Sequence, residues 1–167
     1  MQGLAVPGRF KTICIPCGSF QCVRGRQAAL ETLRRCAAHL APGGRLAFNV
    51  FLSDESYFTT TEFPQPRQPK AIKELSDGQR LEIDFRTTGI DVIEQIWQEE
   101  RRYRLYVGDD LLQTEIHAGQ GYWYYRNELL WMLQLAGFTD VQVPGDFTTE
   151  PFRSPDHGDM VFIARRP

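Results

Sequence analysis

Histidine is scarce in this 167-residue chain, and His39, His117 and His157 share no spacing that would join them in a metal or proton-transfer site. No apolar run approaches the roughly 20 residues that cross a bilayer. Residues Met1 to Arg9 lack a basic n-region and an apolar h-region, so no secretory signal is visible and a cytoplasmic address is expected. Neither sign of charge dominates: 19 basic and 21 acidic side chains leave a formal charge of −2. That balance supplies no field for nucleic acid or an anionic membrane, so neither is an expected partner. A Walker loop, an H-E-x-x-H and a G-x-S-x-G are all missing. Cysteine is limited to Cys14, Cys17, Cys22 and Cys36, all in the first quarter of the chain. Cys14 and Cys17 form a C-x-x-C, a spacing that admits a redox pair or half a zinc site. With no second close pair and no histidine cluster to complete four ligands, no metal is expected and buried free thiols are the reading.

What is present is an ordinary core-forming composition, with 42% apolar residues, enough for one compact domain over residues 1–167. Phe10 to Ile15 reads as a short strand stopped by Pro16. From Arg26 to Leu40, Ala29, Leu30, Leu33, Cys36, Ala37 and Leu40 recur at helical spacing, with Gln27, Glu31, Arg34, Arg35 and His39 on the other face. Pro42, Gly43 and Gly44 end that helix. Gly44, where the chain reverses, is the glycine expected to need a positive φ. Arg45 to Leu52 is a strand apolar on both faces, as in a sheet centre. Strand, helix and strand in this order give a βαβ unit with parallel strands.

Ser53 to Pro69 is polar and proline-rich, with little regular structure expected. Leu81 to Arg86 alternates as a half-buried strand, Thr88 to Asp91 is a turn, and Val92 to Val107 is strand-like with a bulge near Glu99–Arg102. After a turn at Gly108, Leu111 to His117 completes an antiparallel insertion over residues 76–118. Glu128 to Ala136 is a helix apolar on nearly every side, which predicts burial, with Gly137 as its C′ residue. Val141–Val143 and Met160–Ala164 are two further strands, joined by a connection long enough for an antiparallel return.

Three runs carry a family resemblance: Ile15-Pro16-Cys17-Gly18-Ser19-Phe20-Gln21, then Leu40-Ala41-Pro42-Gly43-Gly44-Arg45-Leu46, then Glu128-Leu129 with Leu135-Ala136-Gly137-Phe138. With the terminal Asp159–Arg165 they resemble the second half of a class I S-adenosylmethionine-dependent methyltransferase, from Phe10 onward. The resemblance implies an α/β fold: a partial Rossmann-like sheet with strands 4-5-7-6 of the family order, plus an antiparallel β insertion. It implies methyl transfer to a small molecule as the ancestral chemistry. The family's Gly-rich loop and ribose-binding acid have no counterpart here. S-adenosylmethionine is therefore a cofactor by resemblance only, and the chain by itself is expected not to bind it.

By the same resemblance, Ile15, Pro16, Cys17, Ser19 and Phe20 map to the methyl-transfer site. The residues also admit a plainer role, with Phe20 in the core and Ser19 capping the approach to the helix. Tyr122, Trp123 and Tyr124 are candidate pocket walls and equally candidate core or interface anchors. The first strand, central in the family, becomes a sheet edge, and one sheet face is bare. Phe10, Ile13 and Ile15 are thus interface candidates, with a homodimer or a partner supplying the missing N-terminal half as the expectation. A non-catalytic binding or assembly module is the alternative.

Overall fold

The computed structural model describes residues 3–51, 56–153 and 158–167; His157 lies outside them. The chain divides into two compact units, Met1–Asp54 with Tyr122–Pro167, and Glu55–Gly121.

The first unit is α/β. Its sheet contains β1 (Phe10–Ile15), β2 (Leu40–Phe51), β8 (Asp159–Arg165) and β7 (Thr139–Gln142), in the order β1-β2-β8-β7. β1 and β2 are parallel, and β8 runs antiparallel to both β2 and β7. This is the expected 4-5-7-6 order. Register explains the core. Ile13 and Ile15 lie beside Leu46 and Phe48, which face Ala164 and Phe162, so these side chains share one sheet face. Helices α1 (Arg26–His39) and α3 (Arg126–Leu135) cover that face with Ala29, Leu33, Cys36, Leu129, Met132 and Leu133. On the opposite face Cys14 and Phe51 are exposed and Ala47 is half-buried, while Asn49 and Val161 are buried.

α3 departs from the reading of an all-round buried helix. It lies on the outside of the sheet, so only one stripe can touch the core, and Trp131 and Leu135 are exposed. Its end is as expected. Gly137 adopts φ 88°, Gly137 N–H donates to Gln134 O and Phe138 N–H to Leu133 O. That pattern satisfies the last carbonyls of the helix.

The two adjacent glycines reverse the expected roles. Gly43 has the positive φ, 72°. Gly44 does not, but a Cβ there would lie 2.8 Å from Ala41 O and 3.1 Å from both Phe10 O and Lys11 O. Gly44 is required by the close approach of β1 to the start of β2. The turn residues are themselves part of β2, which begins at Leu40.

The second unit is a four-stranded sheet of order β3-β4-β5-β6, comprising β3 (Gln68–Glu74), β4 (Gln79–Asp91), β5 (Ile96–Val107) and β6 (Asp110–Tyr122), preceded by the single turn α2 (Ser56–Thr59). β3 replaces the end of what reads as loop. β4 runs through Thr88–Asp91, and the turn falls at residues 92–95, where Asp91 Oδ1 accepts from Ile93 N and Glu94 N. The bulge belongs to β4, between Thr87 and Gly89, and not to β5. The charges that interrupt β5 are ladder partners instead. Arg102 donates twice to Asp84 Oδ2, at 3.0 and 2.7 Å, and Arg86 Nε donates to Glu100 Oε2 at 2.7 Å.

Candidate functional site

The candidate site is built at the carboxyl end of β1, beside that of β2, where open α/β sheets present ligand-binding loops. Pro16 ends β1 because it has no N–H for the ladder. Cys17 and Gly18 then both turn left-handed, with φ 59° and 64°. Ser19 closes the turn: its N–H and its hydroxyl both donate to Pro16 O, at 3.1 and 2.6 Å. A non-glycine residue held left-handed is strained by about 1 kcal/mol or more, and Cys17 carries that strain on the surface.

Two buried amides fix the turn. Gln21, 1% exposed, sits in the short 3-10 helix Ser19–Cys22. Its Oε1 accepts from Phe51 N at 2.9 Å and its Nε2 donates to Phe51 O at 3.2 Å. Asn49 accepts from Gly18 N at 3.2 Å through Oδ1 and donates through Nδ2 to Asp159 Oδ1 at 2.7 Å. Asp146 Oδ1 in turn accepts from Asp159 N at 2.9 Å. Gln21, Asn49, Asp159 and Asp146 are absent from the sequence reading of this site. The one legible signal was Asn49, a lone amide within an otherwise apolar strand.

The residues singled out from sequence separate into two groups. Pro16 and Cys17 are exposed and Ser19 is half-buried. Ile15, Phe20, Trp123 and Tyr124 are buried. Phe20 does meet Tyr124, with ring centroids 5.5 Å apart, but as part of an aromatic column that continues through Phe48 (4.9 Å from Phe20) to Phe162 (5.1 Å from Phe48). Tyr124 Oη is buried with no hydrogen-bond partner among the described residues. Burial, and next the Glu128 carboxylate, push its phenol above the ordinary value. Tyr122 is half-buried against the core. Of the interface candidates, Phe10 is exposed, Ile13 is half-buried against the core and Ile15 belongs to it.

The thiols differ from the expectation of buried free cysteines. Cys14, Cys17 and Cys22 are exposed, because Cys14 lies on the sheet face opposite the one that α1 and α3 cover and the other two lie on the turn. Cys36 alone is buried, and burial pushes its thiol up to about 11. Among the described residues no three metal-ligating side chains cluster.

A methyl-donor cradle needs backbone open to a nucleoside at a strand's carboxyl end. Gly18 is the glycine in that position, and its open side is filled by Gln21 Oε1 at 3.3 Å and the Phe51 ring at 3.5 Å. Gly43 and Gly44 lie at the amino end of β2 and serve strand packing. The glycine turn at the carboxyl end of β1 is therefore closed by Gln21 and Phe51.

No protein-family model matches this chain, and no curated protein does. Solved structures do. A S-adenosylmethionine-dependent methyltransferase from Clostridium acetobutylicum superposes with a TM-score of 0.73 at 10% identity, covering 99% of this chain and 61% of its own. CalS10, an amino pentose methyltransferase of calicheamicin biosynthesis from Micromonospora echinaspora, gives 0.70 at 14%, covering 99% and 62%. The sugar N-methyltransferase KedS8 from Streptoalloteichus gives 0.72 at 17%, covering 99% and 59%. The chain thus has a class I methyltransferase-like fold and spans about three fifths of the length of the structures it matches. Among the described residues no helix is long and apolar enough to cross a membrane.

Proposed function

We propose that this chain is the acceptor-side portion of a small-molecule methyltransferase, and that it does not hold S-adenosylmethionine by itself. The donor site is then supplied from outside these 167 residues, by the same polypeptide or another chain. The observation that carries the reading is β1. It is the outermost strand of its sheet, with Phe10, Lys11, Thr12 and Cys14 exposed, yet it is followed by a strained, amide-braced turn at its carboxyl end. An edge of this kind is a template for a further strand, and a braced turn beside it is where an acceptor would meet a donor held by that strand's loop. Pro16, Cys17 and Ser19 form the acceptor-facing surface in this reading. Methyl transfer depends on the placement of donor against acceptor, so the portion alone is inactive. Amino sugars are the first acceptors to try, because CalS10 acts on an amino pentose and KedS8 is a sugar N-methyltransferase.

A second reading is a non-catalytic binding or assembly module. Its support is the placement of Phe20, Trp123 and Tyr124 in buried positions. Incubating the chain with S-adenosylmethionine and amino sugars, and measuring S-adenosylhomocysteine, tests the first reading. No product is expected from the chain alone, and turnover would overturn the claim that its donor site lies elsewhere.

A further inference from the structure

α1 and α3 lie side by side on one face of the first unit's sheet, and their outer sides leave a groove of about 350 Å³ between them. Its walls are Arg26, Gln27 and Leu30 of α1 and Glu128, Trp131 and Met132 of α3. The Arg26–Glu128 ion pair, Nε to Oε1 at 2.7 Å, spans it at the amino-terminal ends of both helices. Helical spacing continues both walls. Gln27, Leu30 and Arg34 recur at i, i+3 and i+7 along α1, and Glu128, Trp131 and Leu135 do the same along α3.

The fold does not require the apolar members of the α3 stripe. Trp131 is 66% exposed and Leu135 64%, one turn apart on the same side of the helix. The core is filled from its other side by Leu129, Met132 and Leu133. A single exposed leucine is ordinary, but a tryptophan and a leucine beside an open groove form a patch, and such patches mark contact sites. Tryptophan and arginine are also enriched at the energetic centres of interfaces.

The charge around the patch selects the occupant. Residues 24–39 hold four arginines, Arg24, Arg26, Arg34 and Arg35, against one acid, Glu31, and residues 126–135 hold Arg126 against Glu128. Five positive and two negative side chains give this surface a net charge of +3, in a chain whose total is −2. Both acids are already engaged, Glu31 with Arg35 at 2.8 Å and Glu128 with Arg26.

We propose that the groove between α1 and α3 is a docking site for an acidic amphipathic helix of another protein. The docked helix lays an apolar stripe over Trp131 and Leu135 and sets its carboxylates beside the arginines of α1. A helix is the fitting shape, because the side-chain ridge of one helix seats in the groove between others. A nucleic-acid backbone has no use for the apolar wall, and a flat bilayer does not enter a groove. α1 and α3 stand on the other side of the sheet from the face left bare, so this inference does not rest on the reading of β1.

Isothermal titration of the whole chain with a synthetic amphipathic peptide of about 20 residues, long enough to be helical by itself, tests it. The peptide carries leucines at i, i+3 and i+7 flanked by glutamates, and its counterpart has lysines in place of the glutamates. The acidic peptide should bind one to one with a Kd of about 30 μM or tighter. The lysine peptide should bind at least about tenfold more weakly, and added salt should weaken the acidic one. Because Trp97 and Trp123 are buried, Trp131 is the exposed indole whose emission should shift to the blue when covered. Trp131→Ala should weaken binding by about tenfold or more, whereas Phe147→Ala, at an aromatic 68% exposed elsewhere, should not. Should Trp131→Ala fail to fold, Leu135→Gln takes its place. No binding of the acidic peptide, equal binding of the two peptides, or binding indifferent to both groove variants would overturn the proposal. So would a blue shift produced by phosphatidylglycerol vesicles and not by the peptide, which would assign the groove to a membrane. A parent that is dimeric by light scattering and made monomeric by Trp131→Ala would also overturn it, and would assign the groove to a second copy.

Discussion

Gln21 binds Phe51 as a neighbouring strand would, its side-chain amide accepting from the Phe51 N–H and donating to the Phe51 carbonyl. One side chain thereby joins the turn after β1 to the carboxyl end of β2. Gln21→Leu should leave both Phe51 groups unpaired and cost about 2–3 kcal/mol. Gln21→Glu should cost at least as much, because it retains one acceptor and buries a charge. Urea unfolding of the two variants checks this, and a cost under about 0.5 kcal/mol, the range of an ordinary surface substitution, would remove the amide from the turn's support.

Gly43 and Gly44 separate by mechanism. Gly43→Asn should be tolerated to within about 1 kcal/mol, since asparagine enters the left-handed region readily. A Cβ at Gly43 would meet nothing closer than Arg165 at 3.5 Å. Gly44→Ala should cost on the order of 2 kcal/mol, because its methyl would collide with the backbone carbonyls of Ala41, Phe10 and Lys11. Thermal melts of the two variants should therefore fall in opposite order to a pure φ argument.

Asp84 is the electrostatic centre of the second unit, 8% exposed and within 3.3 Å of guanidinium nitrogens of Arg67, Arg102 and Arg104. Burial alone would raise its carboxyl, but hydrogen bonds and charge from Arg102 and Arg67 outweigh it and hold the group below the usual carboxylate range. A carboxyl lowered in the folded state stabilises fully above its unfolded value near 4 and loses that contribution as the pH falls toward the lowered value. Asp84→Asn should destabilise by on the order of 2 kcal/mol at pH 7. That is less than the roughly 3–5 kcal/mol of a fully buried pair, because the arginines keep 18–31% of their side-chain exposure. It should also flatten the loss of stability below about pH 4. Denaturation of parent and variant from neutral to acid pH measures both effects.

Local chemistry made much of the first unit readable. The helix over Arg26–His39 and the glycine stop at Gly137 follow from apolar periodicity and turn residues, and the 4-5-7-6 strand order follows from the family resemblance. The second unit was less legible because burial does not organise it. β3 contains Pro69, Lys70 and Lys73 and is held by its ladder to β4, so it lacks the alternation that marks a half-buried strand. In β5 the run Glu99–Arg102 looks like an interruption until Arg86 and Asp84 are placed opposite it. Trp131 and Leu135 carry the apolar character of core residues but lie on the outer face of α3. The resemblance alone directs attention to the end of β1, and the supports of the turn there were not legible in the sequence. The roles of Gln21 and Asn49 depend on Phe51 and Gly18, some 30 residues away in sequence.

The central claim is that these 167 residues carry the fold's acceptor side without a donor cradle, and isothermal titration with S-adenosylmethionine tests it most directly. The account predicts no isotherm tighter than about 10 μM, roughly 7 kcal/mol of binding free energy, because Gln21 and Phe51 fill the space above Gly18. A clean one-site isotherm below that value from the chain alone would contradict it.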